Sequence, residues 1–560
     1  MENNAFWFIL QRMRTPLLVI IVTYAIAILG MVLIPGMDDH GQVYHLSFFD
    51  AYYFVSYMAS TIGFGESPYA FTYEQKLWVS VCIYLTVVGW FYGLGSLVSV
   101  ISDPTLKHEI MRGRFKKRVQ SLEENFIIVL GYSSITAEII NRLHTSRIEI
   151  VLIDKEEEKI NHFLLESLSQ DVPVMVGDAL KTNSLTDAGI LRENCQAIVS
   201  LFDDEEKNLR ISVITRFLNP KVKVIAKSTH QEISMSILDT DIADVINPFA
   251  IFAKRLDISL TSPHLFVLEN WIYNNSDLSD KAIFLPDGKY IVCGYGRFGK
   301  RLHEEFVKHE LPYTFIDEKR HAPGEMVENE TFIRANPDDR DVLIAAGIKE
   351  AVCLIVGTKN DIENLSIVIT AKKLNPNIYI IARENTMDEV SIFQAANIDW
   401  IFIIERIMVN KTSLALTKPL LYYFATMILK ENEAWANALV KLLKVRIGDN
   451  PTLMYLSIDE ELSYAIYHEL KRGESVNIDV LQNSLSNWTI QNNVIPLLIK
   501  RKNEDILLPQ NINLEVGDKI LFACDKKSRE EIKLIASNIY ELHYAKSGQE
   551  KQVGILGKLF

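Results

Sequence analysis

The residues with most chemistry to offer lie in Ser60-Thr61-Ile62-Gly63-Phe64-Gly65-Glu66, and what they offer is backbone. Glycines on either side of Phe64 permit dihedrals closed to other residues, so successive carbonyls can face one way. Four such strands around an axis would stack rings of oxygen that replace the water shell of a cation, with the Thr61 hydroxyl as one further layer. A second set is Gly294-Tyr295-Gly296-Arg297-Phe298-Gly299, between the apolar run Tyr290–Cys293 and a helical pattern. Gly294 permits the turn, Gly296 lets a pyrophosphate approach the backbone, and Gly299 lets helix and strand pack closely. Amides at the helix start favour phosphate, and Arg297 either contacts it or sits in solvent. Asp317 ends the next strand and can accept hydrogen bonds from ribose hydroxyls. Asn336 and Lys359 follow the third and fourth strands, at the carboxyl edge where ligands bind. A third set, Asp178 with Asp203-Asp204-Glu205-Glu206, could hold Ca²⁺, which favours clustered carboxylates; a solvated charged loop is the plainer reading.

These sets need elements to position them. The chain has 560 residues, 48% hydrophobic and 23% charged, which fits a membrane segment joined to a large soluble region. The net charge of −13 argues against a nucleic-acid partner. The five cysteines are far apart and form no CxxC pair, so neither a zinc site nor a disulfide framework is expected. No cleavable signal is expected, because no small-residue cleavage site follows the first apolar run.

Residues 5–14 mix aromatic residues with Arg12 and Arg14, which suits a helix on the membrane surface. Residues 17–34 and 77–101 are uncharged and long enough to span a bilayer. Between them, 46–60 is apolar but too short to cross, and fits a re-entrant helix leading into the glycine stretch. Basic residues precede the first span and follow the second, whereas Lys76 is the one basic residue between them. Both termini are therefore expected in the cytoplasm. In the second span Gly89, Gly93, Leu97 and Ile101 share a stripe, which fits either close helix packing or a hinge above an apolar constriction.

The remainder contains a duplication. Gly131 and Gly294 are separated by 163 residues, as are Asp154 and Asp317. Asp187-Ala188-Gly189-Ile190 matches Ala345-Ala346-Gly347-Ile348; Asn208 matches Asn364 and Asn219 matches Asn375. In each copy strand-like runs alternate with amphipathic helices, the pattern of a doubly wound parallel sheet. The first copy reads Gly131-Tyr132-Ser133-Ser134-Ile135-Thr136-Ala137, lacks two of the three glycines, and is assigned mainly to structure and interface.

The combination of span, short helix, Thr-x-Gly-x-Gly and span over residues 15–102, followed by two Rossmann-like units, resembles ligand-gated bacterial potassium channels with tandem RCK domains. The resemblance implies a multi-domain fold: an α-helical two-span membrane pore with a re-entrant pore helix, two α/β Rossmann-like RCK domains, and a small α+β C-terminal lobe. The implied boundaries are an interfacial helix at 1–15, a pore domain at 16–101 with its filter at 61–65, and a linker at 102–125. The first RCK domain covers 126–285 and the second 286–560, with its Rossmann lobe at 286–405, helical crossover at 406–440 and C-terminal lobe at 444–530. It also implies K⁺ bound by Thr61 to Gly65, NAD or ADP/ATP as regulatory ligand, calcium response in some members, a homotetramer with an eight-RCK gating ring, and an inner-membrane location. The family's filter is usually Thr-Val-Gly-Tyr-Gly-Asp; Phe64 cannot make the hydrogen bond of that tyrosine. No enzyme is expected, since His303 and His309 fall on different helix faces and no nucleophile–base pair stands out. Alternatives are a poorly selective cation channel, a Trk- or Ktr-like uptake component, and an NAD-dependent membrane oxidoreductase.

Overall fold

Two helices are long and apolar enough to cross a membrane in the computed structural model, which describes residues 2–166, 171–273, 277–279, 285–319, 332–385, 390–502 and 504–551. Internal contacts divide the chain into two units, one of Met1–Glu123 with Pro173–Val176 and Leu185–Gly189, the other of the remaining residues.

In the first unit helix α1 (Glu2–Leu33) is continuous through the boundary expected near residue 15, with Pro16 inside it. The side chains at 1–9, which carry most of the expected interfacial face, lie outside the described residues. Strands β1 (Gly36–Met37) and β2 (Val43–Tyr44) form a short hairpin, followed by α2 (Phe48–Ala59), α3 (Tyr73–Ile101) and α4 (Pro104–Gln120). At 1.5 Å per residue the apolar segments Leu10–Leu33 and Tyr73–Ile101 are about 36 and 44 Å long, enough for a hydrocarbon core of roughly 30 Å. Fewer than a third of their residues are buried, so neither is the core helix of a soluble domain. Thr72 starts α3 with a capping box: its hydroxyl accepts from Gln75 N, and the Gln75 side chain accepts from Thr72 N. Pro104 begins α4, and Asp103 caps it through Thr105 N at 2.8 Å. Arg112 Nε and Lys116 Nζ of α4 lie 2.5 and 2.7 Å from the buried Asp187 carboxylate.

The second unit holds both copies and the C-terminal lobe. In the first copy the parallel strands run β4 (Glu149–Asp154), β3 (Phe126–Leu130), β6 (Cys195–Ser200), β7 (Lys223–Lys227), β8 (Ala243–Ile246), while the short β5 (Val174–Val176) groups with the first unit. In the second copy the order is β11 (Phe332–Ile333), β10 (Tyr313–Ile316), β9 (Tyr290–Cys293), β12 (Cys353–Val356), β13 (Tyr379–Glu384), β14 (Trp400–Ile403), so the five strands of the first copy correspond in order to β10, β9, β12, β13 and β14. β3, β9 and β12 are buried at every position, as expected of strands covered on both faces.

The duplicated residues make duplicated backbone contacts. Asn208 Nδ2 donates to the Phe202 and Lys227 carbonyls while its oxygen accepts from Phe202 N; Asn364 does the same with Thr358 and Arg383. Both asparagines are fully buried, where unpaired amides would be costly. Asn219 and Asn375 donate to the Ile190 and Ile348 carbonyls, and Gly189 and Gly347 take φ of 86° and 82°.

The helical stretches after each sheet meet one another. Phe266, Leu268 and Trp271 share a core with Phe424, Leu439, Leu443 and Leu498, so the helix Pro263–Ile272 of the first copy packs against helices of the second. The C-terminal lobe is an antiparallel sheet ordered β15 (Thr452–Ser457), β18 (Lys519–Cys524), β16 (Val494–Lys500), β17 (Asp505–Leu507), covered by helices Lys526–Ser537 and Ile539–Ser547.

Candidate functional site

The first candidate is built by α2. Ser47 caps it through Asp50 N, and the helix runs 12 residues to Ser60, whose hydroxyl returns to the Ser56 carbonyl at 2.8 Å. The chain then changes hand at alternate residues: Thr61, Gly63 and Gly65 have φ of 62°, 64° and 73°. A Cβ on Gly63 or Gly65 would meet no atom within 4 Å, so dihedral and not space requires glycine there. Thr61 adopts the left-handed region despite its branched side chain, which is strained. The turn is anchored on one carbonyl, Tyr57 O, which accepts from Ile62 N at 3.0 Å and Gly63 N at 3.3 Å. Beyond it, Tyr57 Oη donates to the Glu66 carbonyl at 2.7 Å and Tyr53 Oη to its carboxylate at 3.0 Å. Two phenols of α2 thus tie down the residue that follows the glycine stretch, bonds that spacing did not reveal.

On α3, Gly89 and Gly93 face α1. A Cβ at Gly89 would lie 2.9 Å from Thr23 Oγ1, and one at Gly93 would lie 2.4 Å from Ile20 Cδ1. Both glycines thus let two helices approach closely, the packing alternative for this stripe. Leu97 and Ile101 are exposed in the single chain.

In the second copy the three glycines have three distinct reasons. Gly294 has φ of 103°, and a Cβ there would meet Gly357 O at 3.2 Å. Gly296 caps the helix Arg297–Lys308 and faces open space. A Cβ on Gly299 would fall 2.2 Å from Gly294 O. Asp317 holds the backbone around it, since Oδ2 accepts from Tyr295 N at 2.5 Å and Oδ1 from Lys319 N at 2.8 Å. Asp154 repeats these bonds with Tyr132 N at 2.6 Å and Glu156 N at 2.7 Å, so this aspartate alone does not separate a ligand-binding lobe from its twin. Tyr295 and Phe298 are buried, and the Tyr295 hydroxyl lies 2.9 Å from His303 Nδ1. Asn336 and Lys359 are exposed; Asn336 Oδ1 caps the local turn through Asp338 N.

Arg297 is partly exposed but turns away from its own loop. Its Nη1 donates to Thr229 Oγ1 at 2.6 Å and lies 3.4 Å from Glu205 Oε1, both in the first copy. Burial alone would raise the Glu205 carboxyl, but the Thr229 and Ser228 hydroxyls and the amides of His230 and Thr229 outweigh it and hold it at about 2. This contact closes one side of a cavity of about 540 Å³ at the carboxyl edge of the first sheet, lined by Gly131, Ser133, Asp154, Lys227, Arg297 and Arg383, among others. Arg383 is the residue that sequence reasoning missed. Burial lowers its pKa to about 10, its Nε has no hydrogen-bond partner, and its nearest acceptor is Gly357 O at 3.4 Å. It lies over the Phe249 ring at 5.0 Å. An arginine near the end of an apolar strand-like run was its one available signal; its carbonyl accepts from Asn364 Nδ2. The first copy, expected to be mainly structural, thus carries a cavity with two arginines supplied by the second.

The acidic set does not converge: no three of Asp178, Asp203, Asp204, Glu205 and Glu206 lie within shared ligand distance. The helix Glu205–Leu218 turns Glu205 inward, while Asp203 points out and pairs with Lys227 at 2.5 Å. Asp178 caps its own turn through Leu180 N at 3.0 Å. Among the described residues the group with metal-ligand spacing is Asp257, Glu305 and His309, and its central carboxylate is already paired with Lys254 and Lys308 at 2.6 and 2.8 Å.

Two stretches, residues 127–248 and 290–404, match the TrkA-N domain. The chain is 41% identical over 107 residues to potassium channel protein 1 of Methanocaldococcus jannaschii, covering 18% of this chain and 32% of that protein. It is 33% identical over 105 residues to probable potassium channel protein 2 of the same organism, covering 18% and 31%. It therefore spans about a third of the length of these curated relatives. Among solved structures, the GsuK channel aligns over 97% of this chain and 100% of its own, with 13% identity and a TM-score of 0.49.

Proposed function

We propose that the chain is one subunit of a homotetrameric, potassium-selective channel of the cell membrane, regulated by a nucleotide bound in the cytoplasm. The observation that carries this reading is the left-handed φ at Thr61, Gly63 and Gly65, directly after a short helix set between two apolar helices. Alternation of hand turns successive carbonyls towards one side, and four chains would surround a dehydrated K⁺ with oxygens of Thr61, Ile62, Gly63, Phe64 and Gly65. The C-terminal end of α2, the negative end of its dipole, leads into this stretch and favours a cation. The 41% identity to a potassium channel protein supports the reading.

Leu97 and Ile101 form the apolar gate, at the cytoplasmic end of α3, with both termini in the cytoplasm. Eight Rossmann lobes from four chains form a gating ring. The regulatory ligand is an adenine nucleotide, NAD or ADP/ATP, bound without turnover at the Gly294–Gly299 loop. The first-copy cavity, whose cations Arg297 and Arg383 suit a phosphate, is its second position. Ligand that binds one arrangement of lobes more tightly shifts the population of open pores. The pull reaches α3 through α4, held by Arg112 and Lys116 on Asp187.

The test is potassium flux from liposomes, with NAD, NADH, ADP, ATP and Ca²⁺ added one at a time, together with reversal potentials. Potassium selectivity and a nucleotide-dependent change in flux are expected. Equal sodium and potassium permeability would overturn the filter, and indifference to every nucleotide would overturn the regulation.

A further inference from the structure

A larger cleft, of about 1070 Å³, lies where the edge of the first sheet, the elbow at Thr417–Pro419 and the C-terminal sheet meet. It touches neither glycine loop. Its floor is apolar: Leu421 and Leu521 are nearly fully buried, and Leu453 packs against the same core. Its rim is cationic. Lys223, Lys418, Lys500, Lys519, Arg529 and Lys533 line it, against a single acidic residue, Asp244. In a chain of net charge −13 this local excess runs against the whole.

Some of the cations are already engaged. Lys533 pairs with Glu530 at 2.9 Å, and Lys500 sits 3.3 Å over the Tyr423 ring, with Asp505 at 3.9 Å. Lys223, Lys418 and Arg529 have no acidic side chain within ion-pair distance among the described residues, and they come from three different elements. All three line one cleft, so an anion there is attracted by each of them. Tyr422 adds a phenol that stays protonated, because burial first, and the Asp244 charge second, push its pKa up to about 12.

We infer that this cleft binds an amphiphilic anion, a phosphate or carboxylate head carried on an apolar body. The head lies among Lys418, Arg529 and Lys223, and the body covers Leu421, Leu453 and Leu521. Either part alone would leave half the cleft unmatched. The volume is that of a small-molecule site, and the mixture of apolar walls with a few polar groups is what such sites show. The head could belong to a free metabolite or to a membrane amphiphile, and the two share this chemistry.

The experiment uses the full chain in nanodiscs of zwitterionic lipid and octyl phosphate below its micellar concentration, followed by calorimetry. It reads binding and not ion flux, so its outcome is independent of the channel assignment. Saturable binding is expected, at least tenfold tighter than that of inorganic phosphate or octanol. Lys418→Glu with Arg529→Glu should weaken it at least tenfold, while the unfolding temperature stays within a degree. A single-site variant, Leu453→Gln, should weaken octyl phosphate and leave inorganic phosphate unchanged. Binding that is unsaturable, or equal in the charge-reversed variant, is partition into lipid and overturns the inference. So does inorganic phosphate binding as tightly as octyl phosphate. Protection of 415–423 from hydrogen exchange that rises with protein concentration, without any ligand, would assign the cleft to a second copy of the chain and overturn it too. Octyl phosphate bound in detergent-free nanodiscs but displaced by vesicles of anionic lipid identifies a membrane source; displacement by soluble acyl phosphates alone identifies a metabolite.

Discussion

Glu205→Gln probes the buried carboxylate that lies beside Arg297 at the boundary of the two copies. The Glu205 side chain is 4% exposed and accepts from Thr229 N at 2.9 Å, Ser228 Oγ at 2.7 Å, His230 N at 3.1 Å and the Thr229 hydroxyl. Its carboxyl is held at about 2 instead of the ordinary 4.5. At 1.36 kcal/mol per decade this difference corresponds to roughly 3 kcal/mol favouring the folded, ionised state, an upper figure. Because the folded value is depressed, the contribution is complete above about pH 4.5 and disappears as pH falls towards 2. Glutamine keeps the shape but presents an NH₂ group to donors, so about 1–3 kcal/mol should be lost at pH 7. The assay is thermal unfolding of the full chain from pH 7 to pH 3, followed by tryptophan fluorescence. The transition of the unit that holds the two sheets should fall by several degrees at pH 7, at about 2–4 °C per kcal/mol, and the difference should narrow in acid. An unchanged midpoint at pH 7, or an undiminished difference at pH 3, would refute the assignment of that stability to the ionised carboxylate.

Gly296→Ala enters open space and should leave the unfolding temperature unchanged while weakening nucleotide binding at least tenfold; Gly299→Ala, with its Cβ 2.2 Å from Gly294 O, should lower both, as calorimetry and melting will show. Tyr57→Phe removes the 2.7 Å bond to the Glu66 carbonyl, worth about 1 kcal/mol per subunit, and should reduce the potassium-to-sodium permeability ratio in bilayer recordings. Gly93→Ala should destabilise the α1–α3 pair by overlap with Ile20, and Ile20→Ala should restore it; a gating change that survives this repair would belong to a hinge. Asp257, held at about 2 against burial by Lys254, Lys308 and His309, should make Asp257→Asn destabilising at pH 7, with the difference fading below pH 4 in acid unfolding.

Much of the fold was legible because its signals are local. Uncharged runs marked α1 and α3, and the equal spacing of Gly131 with Gly294 and Asp154 with Asp317 marked two copies of one sheet. The repeated asparagines were legible as a pattern, but only their buried bonds to two successive strand ends give the reason. The acidic run, read first as a solvated charged loop, does not converge, because the helix that starts at Glu205 turns that carboxylate inward while Asp203 points out.

What the sequence determined by itself is therefore dihedral and periodic: glycine where φ must be positive, apolar spacing where a helix or strand must be buried. Tertiary structure decided which chemistry meets which. It drew Arg297 away from its own glycine loop to Glu205 and Thr229, and brought Arg383 to the cavity of the first copy. It also brought the Tyr57 and Tyr53 hydroxyls of α2 to Glu66, beyond the glycine stretch. Each of these depends on where two separately specified elements pack, and packing is a property of pairs that no single stretch of chain contains.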